Sequence, residues 1–353
     1  MKRSWFPSLS ISAAAALCLA LSSPANVAMP GYEKTYLLSD GAVAARNFNS
    51  HLVNPWGLAS SPTGPFWIAN EGTGTSSIAR ADGLLVARDV HVPDDESGHP
   101  TGLVFNGDGG FLIRSGGVVG SSVFLFVTLE GRVLGWNPSV DAENAIVAAD
   151  HGSDGAVYTG AAIAGEHARR FLYAANFGGG SVDVFDQDFD LILKLRIPGL
   201  PPNYAPFGIA AIDGRLFVTS ALRDPTTGED VPGSGNGYIH VMDPDGSNLE
   251  VFAFRGELNA PWGLVQAPGG FGMFSQKLLV GNFGDGRILA FNIHNGQFLG
   301  ALEDEDGEPI VIRGIWGLLF GNGGAGGDPH DLYFTAGIQD EEHGVFGEIE
   351  VAH

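Results

Sequence analysis

A short motif built on glycine followed by an apolar residue recurs six times. Its copies are NPWGLA (54–59), HPTGLVF (99–105), YTGAAIA (158–164), APFGIAA (205–211), APWGLVQ (260–266) and GIWGLLF (314–320). The aligned glycines are Gly57, Gly102, Gly160, Gly208, Gly263 and Gly317. They fall 45, 58, 48, 55 and 54 residues apart, which is room for four short strands and their turns. Each motif leads into an aromatic-aliphatic run such as FWIAN (66–70), FLYAANF (171–177) or LLVGNF (278–283). A glycine-rich turn follows, then a third run such as SVDVFDQ or YIHVMDP, and usually a fourth such as LILKLRI (191–197). The runs are nearly continuous in apolar residues, as expected of sheets covered on both faces. The pattern predicts an all-β fold, a six-bladed β-propeller with four-stranded blades. The repeated glycine suits innermost strands that crowd around a narrow channel. The last repeat stops at its third run, FGEIEV (346–351), while an unmatched run, KTYLLSD (34–40), precedes the first motif. The N-terminal strand is therefore expected to complete the last blade and close the ring, which leaves no open sheet edge.

Outside these repeats the chain opens with Lys2 and Arg3, an apolar run from Ile11 to Leu21, and small residues around Ala25 and Ala28. That is the order of a secretory signal peptide, so residues 1–28 are expected to be a leader and 29–353 a single domain. The apolar run is too short to span a bilayer, and no second candidate exists. The chain is thus expected to be secreted or periplasmic, without membrane insertion. Cys18 is the only cysteine and lies in the leader, which excludes disulfides, a thiol nucleophile and a thiolate metal site in the mature domain. Loss of Lys2 and Arg3 takes the net charge from −22 to −24. A field of that sign repels phosphate backbones, so nucleic acid is not an expected partner. A monomer is favoured.

Six stretches carry a resemblance: NPWGLASSPTGPFWIANEGTGTS (54–76), YAPFGI (204–209), GNGYIHVMDPDG (235–246), LNAPWGLVQAPGGFG (258–272), LLVGNFGDGRILAFN (278–292) and IWGLLFGNGGAGGDPHDLYFTAG (315–337). Over nearly the whole mature chain the sequence resembles an uncharacterised family of exported bacterial propellers. More loosely it is similar to NHL-repeat and gluconolactonase-like six-bladed propellers. The nearer family lends a fold and no catalytic residues. The wider group includes calcium-assisted lactonases and esterases, lyases and binding modules, so fold alone decides no function. Lactonase-like relatives set a glutamate, two asparagines and an aspartate around a channel metal. This chain matches that set in residue type, not by motif.

In such a fold one face gathers the loops that lead into the innermost strands and the turns between second and third strands, and a site is expected there. The leading loops bring Asn54, His99, Tyr204, Asn259 and Arg313 to it, and the turns bring Asn70, Glu71, Asn176 and Asn282. Asn70, Asn176, Asn282 and Glu71 offer hard oxygen ligands suited to calcium. The same asparagines suit turns, because asparagine tolerates left-handed backbone and caps hairpins; both readings stand. Two long loops, 221–237 and 337–344, give the rim Asp224, Glu229, Asp230, Asp340, Glu341, Glu342 and His343, with Arg223 as a lone cation. His99, Glu71 and Asp340 are the candidates for proton transfer. Asn54, Tyr204, Arg223, Asn259 and Arg313 are the candidates for ligand contact. Trp56, Trp262 and Trp316 precede three of the glycines and are expected to pack between blades.

Several chemistries are excluded. GNGGAG (321–326) matches a dinucleotide-binding pattern, but no helix is expected after it. DPDG (243–246) lacks the spacing of an EF-hand loop. No G-x-S-x-G, H-E-x-x-H or P-loop pattern occurs. Three readings remain. The leading one is a ligand-binding or scaffold protein whose channel mouth takes a small molecule or an extended polymer or peptide. The alternative is a calcium-assisted hydrolase or lactonase at the same mouth. The third is a structural protein that uses blade sides as contact surface. Whether the chain is an enzyme stays open.

Overall fold

The computed structural model describes residues 1, 30–92, 98–165 and 169–352, so the expected leader lies almost wholly outside the described residues. The fold is all-β and of the β-propeller type. The runs read from the sequence form antiparallel sheets with the order of a meander. Three repeats give clean four-stranded sheets: Tyr158–Ala164 to Leu191–Leu195, Tyr204–Ile212 to Glu250–Phe254, and Pro261–Gln266 to Phe298–Ala301. Second and third strands are buried along most of their length, and from end to end in Phe66–Asn70 and Ser181–Phe185, because a neighbouring sheet covers each face.

The aligned glycines show why the motif repeats. A Cβ at Gly57 would overlap the carbonyl oxygen of Thr101, and one at Gly102 would overlap the backbone of Ala161. Gly208 abuts Trp262, Gly263 abuts Trp316, and Gly317 abuts Trp56. Each inner strand thus leans on the backbone of the next, an approach that only a residue without a side chain permits. Hydroxyls stitch the same contacts: Thr101 donates to the Tyr158 carbonyl (2.7 Å), Thr159 to that of Phe207 (2.7 Å) and Thr335 to that of Trp56 (2.6 Å).

At the chain ends, Tyr32–Ser39 pairs antiparallel with His343–Val351, from Tyr32 opposite Val351 to Ser39 opposite Val345. Repeats one and two depart from the four-strand pattern. The fourth strand of repeat one shrinks to Val90–His91, which pairs parallel with the long strand Asp141–Asp150 of repeat two. The two sheets therefore merge into one of eight strands. Repeat two also carries an inserted hairpin, Leu112–Ser115 with Val118–Ser121, which accounts for its longer spacing. GNGGAG runs through turns into the strand Leu332–Ile338, not into a helix.

Candidate functional site

The inner strands of the repeats lean on one another, and an aromatic layer lies among them. Trp56, Phe177, Phe207, Trp262, Phe283 and Trp316 come from five different repeats yet form one cluster. Only the axis brings five repeats together. Trp56 stacks on Trp316 with ring centroids 3.6 Å apart, and Phe283 stacks on the other side of Trp316 at 4.1 Å. The tryptophans are buried and pack on one another from three different repeats. A backbone feature accompanies them. In the three repeats with tryptophan, the residue two positions earlier is left-handed: Asn54 (φ 43°), Ala260 (φ 43°) and Gly314 (φ 68°). Asn54 and Ala260 precede prolines and are not glycines, so each is held in a conformation that costs about 1 kcal/mol.

Asn54 is the hinge of the site. Its Oδ1 accepts from Trp316 Nε1 at 3.0 Å. Indole nitrogen only donates, so this bond orients the amide and leaves Nδ2 to donate. Nδ2 gives one hydrogen to Glu71 (2.7 Å) and the other to Glu341 (2.7 Å). Glu71 is placed by a 3-10 turn, Glu71–Thr73, whose amides bind the carbonyls of Asn54 and Val53. Glu341 is delivered by a different device. Gln339, Asp340 and Glu341 are all left-handed (φ 55°, 55° and 68°). That run turns Glu341 inward and leaves Asp340 exposed.

Burial raises the Glu71 carboxyl above its ordinary range, and the bond from Asn54 only partly offsets this. Glu341 is raised by burial too, against its bond from Asn54, with the charges of Glu71, Glu229 and Asp340 adding to the rise. Asp230, across the mouth on the long loop, is pushed up to about 7 by burial and by the charge of Glu341. One of its oxygens is buried without a partner. Among the described residues no lysine, arginine or histidine forms an ion pair with Glu341 or Asp230.

His99 takes in repeat two the place that Asn54 takes in repeat one. Its Nδ1 bonds Glu130, and its Nε2 lies 3.9 Å from Glu71. Burial raises Glu130, but its bonds from His99 and Thr128 outweigh that and leave it below the usual carboxylate range. Asn259 repeats the arrangement in repeat five, with Nδ2 3.4 Å from Asp285. The shared signal is a leading residue facing an acid of the same repeat's turn, and it marks Glu130, which sequence reasoning passed over.

The other candidates lie as follows. Asn70, Asn176 and Asn282 hold equivalent positions opposite Pro55, Tyr158 and Pro261. Asn176 Oδ1 accepts from the amides of Val157 and Gly179, and Asn282 Oδ1 from that of Asn259. Those two oxygens cap turns. Asn70 differs: its Nδ2 donates to Thr75 and Ser77, and its Oδ1 is buried without a partner. Arg223 spends its guanidinium on the carbonyls of Phe177 and Gly178. Tyr204 packs edge-on against Tyr238 with its hydroxyl toward Asn236, and Arg313 is exposed.

Asp230 gives the mouth a pH dependence of unusual sign. Its folded pKa lies above the unfolded value of 3.8. The carboxylate therefore destabilises the fold above about pH 7, and the penalty fades as pH falls toward 4. Asp230→Asn is expected to stabilise the protein at pH 8 by about 1–2 kcal/mol, a figure discounted for solvent screening, and to change nothing at pH 4. Urea unfolding at both pH values checks this. A destabilised variant at pH 8 would contradict the burial argument.

No family model matches the chain. Two uncharacterised proteins of Acanthamoeba polyphaga mimivirus, R648 and L690, are each 32% identical to it. The alignments cover 91% of this chain in both cases, with 81% and 86% of the relatives. Both are viral, whereas the sequence motifs resemble exported bacterial propellers. Among solved structures, virginiamycin B lyase from Staphylococcus aureus superposes with a TM-score of 0.53 at 15% identity, covering 90% of this chain and 99% of that one. A streptogramin B lyase gives 0.54 at 12% identity, covering 91% and 97%. At such identities the likeness is one of fold. At 32% identity along nearly its whole length, the chain belongs to the family of these uncharacterised mimivirus proteins.

Proposed function

We propose that the chain is an exported, monomeric, six-bladed propeller that binds a ligand at the mouth above the aromatic layer, through a positively charged or donor-rich group on that ligand. Six inner strands that each lean on the next, the last on the first, support the blade count. Pairing of Tyr32–Ser39 with His343–Val351 supports closure by the N-terminal strand. The basic-then-apolar start of the sequence supports export of a single domain, residues 29–353, to the periplasm or the medium.

The observation that carries the binding reading is Asn54 between Glu71 and Glu341. Two part-buried carboxylates share one amide nitrogen, and among the described residues no cation pairs with Glu341 or Asp230. Close like charges of this kind are relieved by a ligand that brings hydrogens or positive charge. An amine, or a polymer carrying amines or hydroxyls, fits that demand. A second reading, calcium-assisted hydrolysis, is favoured by one observation. Asn70 Oδ1 is buried and unpartnered beside Glu71, as a metal ligand would be. His99 with Glu130 would then move the proton.

Thermal melts of the purified protein separate the two, run in EDTA, in millimolar calcium and with spermidine. A ligand at 100 times its Kd adds about 2.7 kcal/mol. Spermidine is expected to raise Tm by several degrees, and Glu341→Gln to remove the rise. A calcium shift that Asn70→Ala abolishes would favour the hydrolase and make ester and lactone panels the next assay. Coincident melts in all three conditions would remove both readings from this mouth.

A further inference from the structure

We propose that the opposite half of the channel is a second binding pocket, one for a small uncharged molecule with an apolar body and an amide or hydroxyl group. Below the aromatic layer the axis holds a cavity of about 310 Å³. That volume falls at the small end of ligand pockets. Leu58, Phe105, Ile163, Ile212, Leu264 and Leu319, one from each repeat, contribute to its wall, and Trp262 borders it at the aromatic layer. The layer closes one end. The other end opens, because exposure rises along the inner strands, from Trp56 at 6% to half-buried Ser60, Phe105, Ile212 and Gln266.

Two features fix the ligand's chemistry. The first is charge. A chain with 40 acidic residues and a net charge of −22 places no ionisable side chain on this wall among the described residues. A carboxylate ligand would enter a negative field with no counter-charge. A cation would give up its water to an apolar wall that returns no ion pair. A neutral molecule meets neither penalty. The second feature is the backbone. Each inner strand is the last strand of its sheet, so one edge of its amides and carbonyls turns from the ladder toward the axis. Side chains of Ser60 and Gln266 add hydrogen-bonding groups where the inner strands end. A wholly apolar occupant would leave those groups unpaired, whereas an amide or hydroxyl satisfies them.

The test is titration calorimetry with three eight-carbon probes that differ in charge: octanamide, octanoate and octylammonium. Octanamide is expected to bind one to one, at least tenfold tighter than either ion. Ala211 is exposed, borders the cavity and belongs to no core cluster, so Ala211→Trp fills the pocket without disturbing the sheets. That variant should weaken octanamide at least tenfold. Ser60→Phe, at the end of another inner strand, should do the same and serves if Ala211→Trp melts abnormally. Glu71→Gln with Glu341→Gln should leave octanamide binding unchanged, which keeps this pocket separate from the upper mouth. No octanamide binding, equal binding of all three probes, or binding that both filling variants leave intact would overturn the proposal.

Discussion

A chain lacking residues 30–41 will show no cooperative thermal transition, whereas the intact chain will melt in one step. The segment carries Tyr32, Leu37 and Leu38, which are 2%, 0% and 0% exposed. Each such side chain contributes about 1.5–3 kcal/mol when buried, so the three together approach the 5–15 kcal/mol by which whole domains are stable. The loss spreads beyond their own contacts. Without Tyr32–Ser39 the strand His343–Val351 has an unpaired edge along its length, and the Phe66, Tyr333 and Phe346 cluster is uncovered. An exposed edge beside aromatic surface also invites aggregation. The control is removal of 226–228 from the tip of an exposed loop, which should shift Tm by no more than a degree or two, since loop length acts weakly on stability. Circular dichroism melts of the two deletions, side by side, decide it. If the N-terminal deletion melts within a few degrees of the intact chain, this strand is peripheral and its burial has been misread.

What the sequence made legible follows from which contacts are repeated. The inner-strand glycine recurs because each copy faces the backbone of the next inner strand, and that demand leaves the same mark every 45 to 58 residues. Apolar strand runs were legible for the same reason. The merged sheet of repeats one and two was not. It depends on His91 meeting Asn144, a parallel pairing across more than fifty residues that no local pattern announces.

At the mouth the limit was geometric. QDEE (339–342) holds three adjacent acids, and composition gives no reason to choose among them. Three successive left-handed residues choose Glu341 and leave Asp340 in solvent. Likewise Asn70, Asn176 and Asn282 are indistinguishable as letters. Their hydrogen bonds divide them into two turn caps and one buried oxygen without a partner. Asn54 was singled out for its position, but its bridging role rests on Trp316, which lies 262 residues away in sequence.

Trp316→Ala is expected to destabilise the protein by about 3–5 kcal/mol, the usual range for truncating a buried aromatic residue. In a domain of this size that lowers Tm by about 5–7 °C. The side chain is 1% exposed and sandwiched between Trp56 and Phe283, so the space it leaves cannot close without moving both. Trp316→Phe separates packing from hydrogen bonding. Phenylalanine keeps much of the stack but has no donor for Asn54 Oδ1. The direct stability loss should be small, about 1 kcal/mol. The effect on the mouth should be larger. With its oxygen released, the Asn54 amide keeps its two bonds to Glu71 and Glu341 but loses the third that fixes its plane, so the two carboxylates are no longer held at one spacing. Spermidine binding should then weaken several-fold in Trp316→Phe while the melt barely moves. If the variant loses stability but binds as the intact protein does, the aromatic layer is only a plug. If binding changes and stability does not, the plug is also what aims the site.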